Sequence, residues 1–180
     1  MIDLARDLKR RFALRFLRPF RLRRAVARRH LARGIGIELG PLHLPLVPPR
    51  GARVFNVDYL THDALRSRYP ELGHVGLAPV HLVDSAERLE SIRDGSLDFV
   101  VASHVIEHME DPIAAVGAWL RVLRAGGTAL VIAPDRRHTF DRDRAPTPWE
   151  HLVADHEDGG AASRRGHYEE WAEKVDRVPA

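Results

Sequence analysis

The stretch of residues 97–112 constrains the fold of this chain more than any other. Its apolar run at 99–102 is uninterrupted and short enough to be a buried parallel strand. Polar residues follow from Ser103, and Asp111 with Pro112 then provides an N-cap and a first helical position. A strand that ends in a polar turn before a helix places that turn where open α/β sheets bind ligands.

The same alternation of strands and helices extends along the chain. Apolar runs predict five strands, at Ile35–Leu39, Arg53–Asp58, Pro79–Asp84, Phe99–Ala102 and Thr128–Ala133. Helical patterns lie between or after them: from Thr61 to about Tyr69, from Pro112 to Ala125, from a Thr147–Glu150 capping box to Gly159, and through His167 to Val175. A shorter helical turn is predicted over Ala86–Ile92. This order predicts an α/β fold with a Rossmann-like, doubly wound parallel sheet.

One connection departs from the pattern. Between the first two strands stand Pro41, Pro45, Pro48 and Pro49, a density of proline that excludes an ordinary helix. We therefore expect this crossover to run largely extended or as a single turn.

The composition excludes several classes of protein. The chain has no cysteine, which rules out disulfides, thiolate zinc sites and cysteine nucleophiles. No apolar run reaches the roughly 20 residues of a membrane-spanning helix, and the start of the chain lacks the features of a signal peptide. We expect a cytoplasmic protein.

Residues 1–33 differ in charge from the rest of the chain. They carry 12 of the 28 Lys and Arg side chains and only two acids, whereas the remainder has 16 basic and 23 acidic residues. Leu4, Leu8, Phe12 and Phe16 follow helical spacing, so a basic amphipathic helical arm is predicted. Two interpretations stay open: peripheral contact with an anionic membrane surface, or packing against the sheet or a partner subunit. No aromatic and basic interleaving favours nucleic acid.

Four of the predicted strands end in polar residues or glycine. In chain order, these ends carry Glu38 and Gly40, Asp58, Asp84 and Ser85, and Ser103 and His104. An acid after the first strand suits a ligand's ammonium group, and glycine permits close approach of the backbone. Asp58 lies 18 residues after Gly40, near the spacing at which an acid binds ribose hydroxyls. Together the strand ends predict a nucleoside pocket, with Asp84 or Ser85 near an adenine amino group.

A competing hypothesis concerns residues 104–108. His104, Glu107 and His108 match the HxxEH pattern, in which two imidazoles bind zinc and the glutamate acts as general base. The motif has only about one helical turn before Asp111, and the sequence marks out no third ligand. We therefore predict no metal site at this motif.

These residues resemble those of a known family. The chain resembles class I S-adenosylmethionine-dependent methyltransferases of the type 11 group. The resemblance is carried by GIELG at 36–40, Asp58, SAERL at 85–89, DGSLDFVVASHVIEHMEDP at 94–112 and WLRVLRAGGTALVIAPD at 119–135. The resemblance implies S-adenosylmethionine as cofactor. It also implies that Glu38 and Gly40 belong to the first motif, that Asp58 binds the ribose, that Asp84 or Ser85 approaches the adenine, and that Ser103 and His104 line the methionine side.

The chain departs from the family pattern in two places. Only Gly40 remains of the two or three glycines of the first motif, and His43 stands in the loop beside the cofactor, where we count it among the cofactor-binding candidates. The family's last two strands are not recognisable after Asp135, so we expect a shortened sheet.

The resemblance divides the chain into the arm of residues 1–33, a methyltransferase core of residues 34–135 and a substrate region of residues 136–180. The segment 135–151 is rich in arginine, which suits an anionic small-molecule acceptor, although its arginines and aspartates could instead pair with one another. His138 is the first candidate for a general base and Asp135 the second. The predicted function is methyl transfer to oxygen or nitrogen of a small molecule. The alternative is a non-catalytic binding or scaffold module.

Overall fold

The computed structural model describes residues 22–31 and 33–174. In it five strands form one parallel sheet in the order β3-β2-β1-β4-β5. The strands are β1 (Gly34–Leu39), β2 (Ala52–Asp58), β3 (Leu82–Val83), β4 (Leu97–Ser103) and β5 (Leu123–Ile132). The strand order reverses between β1 and β4, which is the point where open α/β sheets bind ligands. The predicted α/β class with a parallel sheet is confirmed.

The helices lie between and after the strands. They are α1 (residues 22–30), α2 (His62–Arg68), α3 (Pro112–Val122), α4 (Trp149–Asp158) and α5 (Arg164–Lys174), with short 3-10 turns at Pro70–Leu72, Ile106–His108, Arg136–His138 and Phe140–Asp143. Two predicted caps are confirmed, because Thr61 accepts the N–H of Ala64 and Asp111 accepts the N–H of Ala114.

Two predicted boundaries, those of the third strand and of helix α3, are wrong. The third strand is only Leu82–Val83, because His81 Nδ1 accepts the N–H of Asn56 and replaces a ladder bond there. Between these two elements, residues 86–92 form turns, in agreement with the predicted helical turn, and Leu89 N bonds Ser85 O at 2.9 Å. Helix α3 ends at Val122 rather than near Ala125, because Leu123 pairs with Leu97 in the sheet.

The start of α4 also differs from the prediction. Pro148 is the N-cap, no side chain caps the helix, and the expected capping box at Thr147 does not form. The C-terminal end of α4 lies where it was predicted, because Gly159 adopts a φ of +67° and ends the helix in the left-handed conformation. The final helix spans Arg164–Lys174, and its predicted end at Val175 lies outside the described residues.

Apolar clusters cover both faces of the sheet. On one face, Trp119 of α3 is 1 % exposed and packs with residues of β1 and β4, while its indole Nε1 donates to Ala86 O at 2.7 Å. On the other face, Ala27 and Leu31 pack against Phe99 of β4. The sheet is therefore covered on both sides, as a doubly wound fold requires.

The proline-rich crossover helps to cover the second face. Its first residues form a turn closed by a bond from Leu44 N to Pro41 O, and the rest has no regular structure, as predicted. Leu46 is 6 % exposed and joins Ala27 and Leu31 in the cluster. The short extended link and α1 thus cover this face of the sheet together, where a crossover helix would otherwise cover it alone.

The basic arm is described only in part. Residues 22–31 pack against the sheet, in agreement with the interpretation of a packed helix, and residues 1–21 lie outside the described part of the chain. The predicted membrane contact falls mainly on those outside residues. Among the described helices, none combines the length and the apolar character needed to cross a membrane.

Candidate active site

A cavity of about 720 Å³ lies at the carboxyl ends of the strands. Five of the candidate residues line it: Gly40, Asp58, Asp84, Ser85 and His104. They come from the ends of β1, β2, β3 and β4, which neighbour one another in the sheet. The volume lies within the range of small-molecule and cofactor pockets.

Asp58 ends β2 at the floor of this cavity and is 7 % exposed. Burial raises the pKa of its carboxyl, and the backbone N–H groups of Leu60 and Tyr59 oppose that shift. Within the described residues no lysine or arginine pairs with it. The carboxylate therefore has acceptor capacity left for the hydroxyl groups of a ligand.

Gly40 follows β1 with a φ of +53°, a conformation that favours glycine. Its N–H bonds Val57 O at 2.9 Å, which fixes the turn against β2. A Cβ added here would meet only Val105 Cγ2, at 3.8 Å. The backbone therefore faces open space at the cavity wall, and a ligand can approach it closely.

Asp84 and Ser85 form the turn after β3. The Asp84 carboxylate accepts the N–H groups of Ser85 and Ser91, at 2.7 and 2.8 Å, and so holds the turn together. The Ser85 Oγ accepts the N–H of Glu87 at 3.2 Å, which leaves its hydroxyl proton free to donate. Of the two side chains, Ser85 therefore has more hydrogen-bonding capacity left for a ligand.

Three candidates do not line the cavity. The Glu38 carboxylate is fully buried, forms an ion pair with Arg23 of α1 and accepts the N–H of Leu46 at 2.6 Å. His43 has a buried Nδ1 without a hydrogen-bond partner, and Ser103 is the last residue of β4. Their roles in binding a cofactor stay predictions.

A second cavity of about 530 Å³ lies beside the first. It is enclosed by the 104–110 turn, parts of the 134–144 segment and residues of α4 and α5. The two cavities share a wall, formed by His104, His108, Met109, Glu110 and Tyr168. A ligand in one cavity would therefore lie next to a ligand in the other.

Helix α5 is attached to this shared wall through Glu110. Tyr168 Oη donates to one carboxylate oxygen at 3.0 Å, and Arg164 Nε donates to the other at 2.9 Å. The contact with Glu110 raises the pKa of the Tyr168 hydroxyl. Glu87 extends the wall by accepting the N–H groups of Glu110 and Asp111. The sequence carries no local signal for these contacts, because their members lie far apart in the chain.

His104 belongs to both cavities. Its φ is +56°, its N–H donates to Ile132 O at 2.8 Å, and its imidazole Nδ1 lies 3.4 Å from Glu107 Oε1. The HxxEH motif folds as the 3-10 turn Ile106–His108 rather than as a regular helix. In the described ranges, His104, Glu107 and His108 are not part of a group of three side chains close enough together to hold a metal ion.

The two candidates for a general base line neither cavity. Asp135 caps the turn Arg136–His138, and its ion pair with Arg137 lowers the pKa of its carboxyl to about 2. A carboxylate with so low a pKa is a weak base at neutral pH. His138 is exposed in the same turn. Pro134 and Thr139, which flank these residues, do line the second cavity.

Two arginines of the same segment are paired with acids. Arg137 binds Asp135, and Arg144 binds both Asp141 and Glu170, at 2.6 and 2.9 Å. For these two arginines the structure agrees with the alternative of mutual pairing rather than with an open anion site. The pairing also raises the pKa of both guanidinium groups.

Comparison with known proteins identifies the family. The family model described as "Methyltransferase domain", of type 11, matches residues 31–131, which is more than half of the chain. The chain therefore belongs to the type 11 group of class I S-adenosylmethionine-dependent methyltransferases, whose cofactor is S-adenosylmethionine. The family predicted from the sequence motifs is confirmed.

Individual relatives are similar over part of their length. A Mycolicibacterium smegmatis protein named "Probable S-adenosylmethionine-dependent methyltransferase" is 37 % identical over 95 residues, covering 51 % of this chain and 33 % of the relative. A ubiquinone biosynthesis O-methyltransferase from Methylococcus capsulatus is 31 % identical over 80 residues, covering 44 % of this chain and 33 % of the relative. The chain thus matches about a third of the length of these curated relatives.

Among solved structures, PH0226 protein from Pyrococcus horikoshii OT3 has a TM-score of 0.47 at 19 % identity, covering 81 % of this chain and 62 % of that one.

Proposed function

We propose that this chain transfers the methyl group of S-adenosylmethionine to a small-molecule acceptor bound in the second cavity. The observation that carries the proposal is the wall shared by the two cavities, which includes His104, Glu110 and Tyr168. Methyl transfer needs a donor and an acceptor held in contact and in line. Two adjoining cavities at the carboxyl edge of the sheet supply such an arrangement.

The residues around the first cavity fit the cofactor. Asp58 would accept the ribose hydroxyls, Ser85 would donate to an adenine ring nitrogen beside the amino group, and the open backbone at Gly40 would lie against the ligand. When bound, S-adenosylmethionine supplies an electrophilic methyl group on a sulfonium. The buried carboxylate of Asp58, without a cationic partner among the described side chains, is the strongest sign of fit.

On the acceptor side, we infer that His104 takes a proton from an oxygen or nitrogen acceptor. His104 and His108 both line the two cavities, whereas His138 and Asp135 line neither. Of the two wall histidines, His104 is the one whose Nδ1 lies 3.4 Å from a Glu107 carboxylate oxygen. Glu107 lies close enough to orient the ring. His138 and Asp135 would act only if the 134–144 segment approached the acceptor more closely.

Calorimetric titration of the full chain with S-adenosylmethionine tests the proposal. We expect saturable binding in the wild type and a loss of about 10- to 150-fold in Asp58→Asn, because a hydrogen bond to a charged group contributes roughly 1.5–3 kcal/mol. The matched control is Asp63→Asn, an exposed aspartate in the first turn of α2, which should bind as the wild type does.

Two results would contradict the proposal. Absence of binding at millimolar S-adenosylmethionine would favour the alternative, a non-catalytic binding or scaffold module. Equal affinity in Asp58→Asn and the wild type would refute the ribose assignment. If binding is seen, incubation with donor carrying a labelled methyl group and a set of small oxygen and nitrogen acceptors then identifies the substrate.

A further inference from the structure

A cluster of metal-ligating side chains lies outside the residues discussed so far. His151 and Asp155 stand one helical turn apart on α4, and His167 faces them from α5. One ligand atom from each of the three residues lies within 4.8 Å of the other two. The turn at Gly159 and Gly160, both with positive φ, folds α5 back onto α4 and brings the cluster together.

Asp155 is the buried member of the cluster. It is 4 % exposed, and its Oδ1 accepts the hydroxyl of Ser163 at 2.5 Å. Its Oδ2 lies 3.3 Å from His151 Nε2. No lysine or arginine of the described ranges pairs with this carboxylate, and a buried carboxylate requires a cation or hydrogen bonds that satisfy both oxygens. The Ser163 bond fixes one oxygen and leaves the other directed at His151.

The two imidazoles meet through their Nε2 atoms, which are 2.7 Å apart. The ring planes differ by 11° and the centroids are 5.0 Å apart, so the lone-pair sides of the two nitrogens face one another. Two explanations fit such a contact: one ring donates its proton to the other, or both nitrogens bind the same cation.

The set of two nitrogens and one carboxylate oxygen is typical of a transition-metal site. Zinc bonds of 2.0–2.1 Å at tetrahedral angles place ligand atoms about 3.3 Å apart. The distance from His151 to Asp155 already has this value. The Nε2 atoms must separate by about 0.6 Å, and the His167 ring must turn so that its lone pair points at the ion rather than at His151. The exposed position of the His167 side chain allows this rotation.

The position of the cluster gives such an ion an entry path and a free coordination site. Asp155 and His167 line the second cavity, together with Ser163. Three protein ligands leave one tetrahedral position open, as in catalytic rather than structural zinc sites. An ion here would join α4 to α5 and present an open position toward the cavity.

We propose that His151, Asp155 and His167 bind a divalent transition-metal ion of the zinc type on the wall of the second cavity. Binding of the ion to these residues requires neither donor nor acceptor, so it can be tested without them.

The test is metal titration of the full chain after treatment with chelator. Zn²⁺ alone is titrated in competition with a chromophoric chelator, and Co²⁺ is added separately to record its visible absorption. We expect one tight equivalent of Zn²⁺ per chain and a Co²⁺ spectrum of low-symmetry, four-coordinate type. His151→Gln and His167→Gln should each lower the affinity by more than about 100-fold, since even changes of residues that only support a ligand cost 10- to 100-fold.

Ser163→Ala should weaken binding by about 10-fold, because it frees the Asp155 carboxylate from its orientation. The matched control is His74→Gln, an exposed histidine far from the cluster in sequence, which should bind as the wild type does. His151 is partly exposed and His167 is exposed, so their variants are expected to fold, and circular dichroism checks this. No tight equivalent, or equal weakening in His74→Gln, would overturn the proposal and leave a His–His hydrogen bond as the explanation.

Discussion

The sheet with its covering layers and the α4–α5 region are built in different ways. Trp119 and Phe99 are each 1 % exposed in the clusters on the two faces of the sheet, and the strand ends that line the first cavity extend directly from that core. Helix α5 has no buried residue, and the only buried residue of α4 is Asp155. The first region is held by apolar burial and the second by polar contacts.

This difference indicates which of the two cavities has a rigid geometry and which has a geometry that can change. Apolar burial contributes about 25 cal/mol per Å² and depends little on salt, whereas exposed ion pairs contribute roughly 0–1 kcal/mol each and are screened. The second cavity depends on contacts such as Arg164 with Glu110 and His156 with Asp111. We therefore expect the geometry of the first cavity to be rigid and that of the second cavity to respond to salt and pH.

The largest effect should follow from Trp119→Ala. This change removes a fully buried indole and its hydrogen bond to Ala86 O, so the free energy of unfolding should fall by about 3–5 kcal/mol. Urea denaturation measures it. Trp149→Ala is the matched control in α4, since that side chain is 64 % exposed and should change stability by about 0.5 kcal/mol or less. Equal losses in the two variants would remove the contrast between the regions.

A somewhat smaller effect is expected from Arg23→Ala. Arg23 joins α1 to the sheet through the Glu38 carboxylate, whose side chain is 1 % exposed. Its removal leaves a buried carboxylate with only the Leu46 N–H, which should cost about 3 kcal/mol. The control is Arg24→Ala, an exposed neighbour on the same helix. An Arg23→Ala protein as stable as the Arg24→Ala protein in urea would show that apolar packing alone holds α1.

The smallest effect, and one that depends on pH, should come from Glu170→Gln in α5. Arg144 first and Lys174 second lower the pKa of Glu170 to about 2 from an ordinary 4.5. Because the pKa is depressed on folding, the contribution is complete above pH 4.5 and is lost as pH falls toward about 2. At neutral pH we expect the variant to lose about 0.5–1 kcal/mol, a value typical of partly exposed pairs.

Urea denaturation of the wild type and of Glu170→Gln at several pH values measures this difference. It should shrink steadily as the pH is lowered through that window. Glu173→Gln, an exposed residue of the same helix, is the control and should show no such trend. A difference that stays constant with pH would mean that Glu170 contributes through packing rather than charge.

Much of the sheet could be predicted from the sequence. The runs at β1, β2 and β4 and the caps Thr61 and Asp111 depend on interactions within a few residues, and the structure confirms them. The short β3 and the early end of α3 could not be predicted. Asn56 with His81 and Leu97 with Leu123 decide these boundaries, and each pair joins segments that are distant in the chain.

The candidate site divides in the same way. Gly40, Asp58, Ser85 and His104 lie around one cavity because parallel strands end at one edge, a consequence of the strand pattern itself. Glu38 has the same kind of position in the sequence, yet its carboxylate is turned to Arg23 on the other face. The local sequence pattern predicts where a residue lies along a strand. Tertiary packing determines which other side chain or cavity that residue contacts.

By itself, the sequence determined the parallel sheet and the strand ends that meet at the first cavity, because periodicity and capping act over a few residues. The resemblance of its motifs indicated the family. Only the tertiary structure decided the second cavity and the His151–Asp155–His167 cluster. Tyr168 and Glu110 are 58 residues apart, and His151 and His167 are 16 apart. Contacts over such separations depend on how whole helices pack, and no local pattern in the chain encodes that.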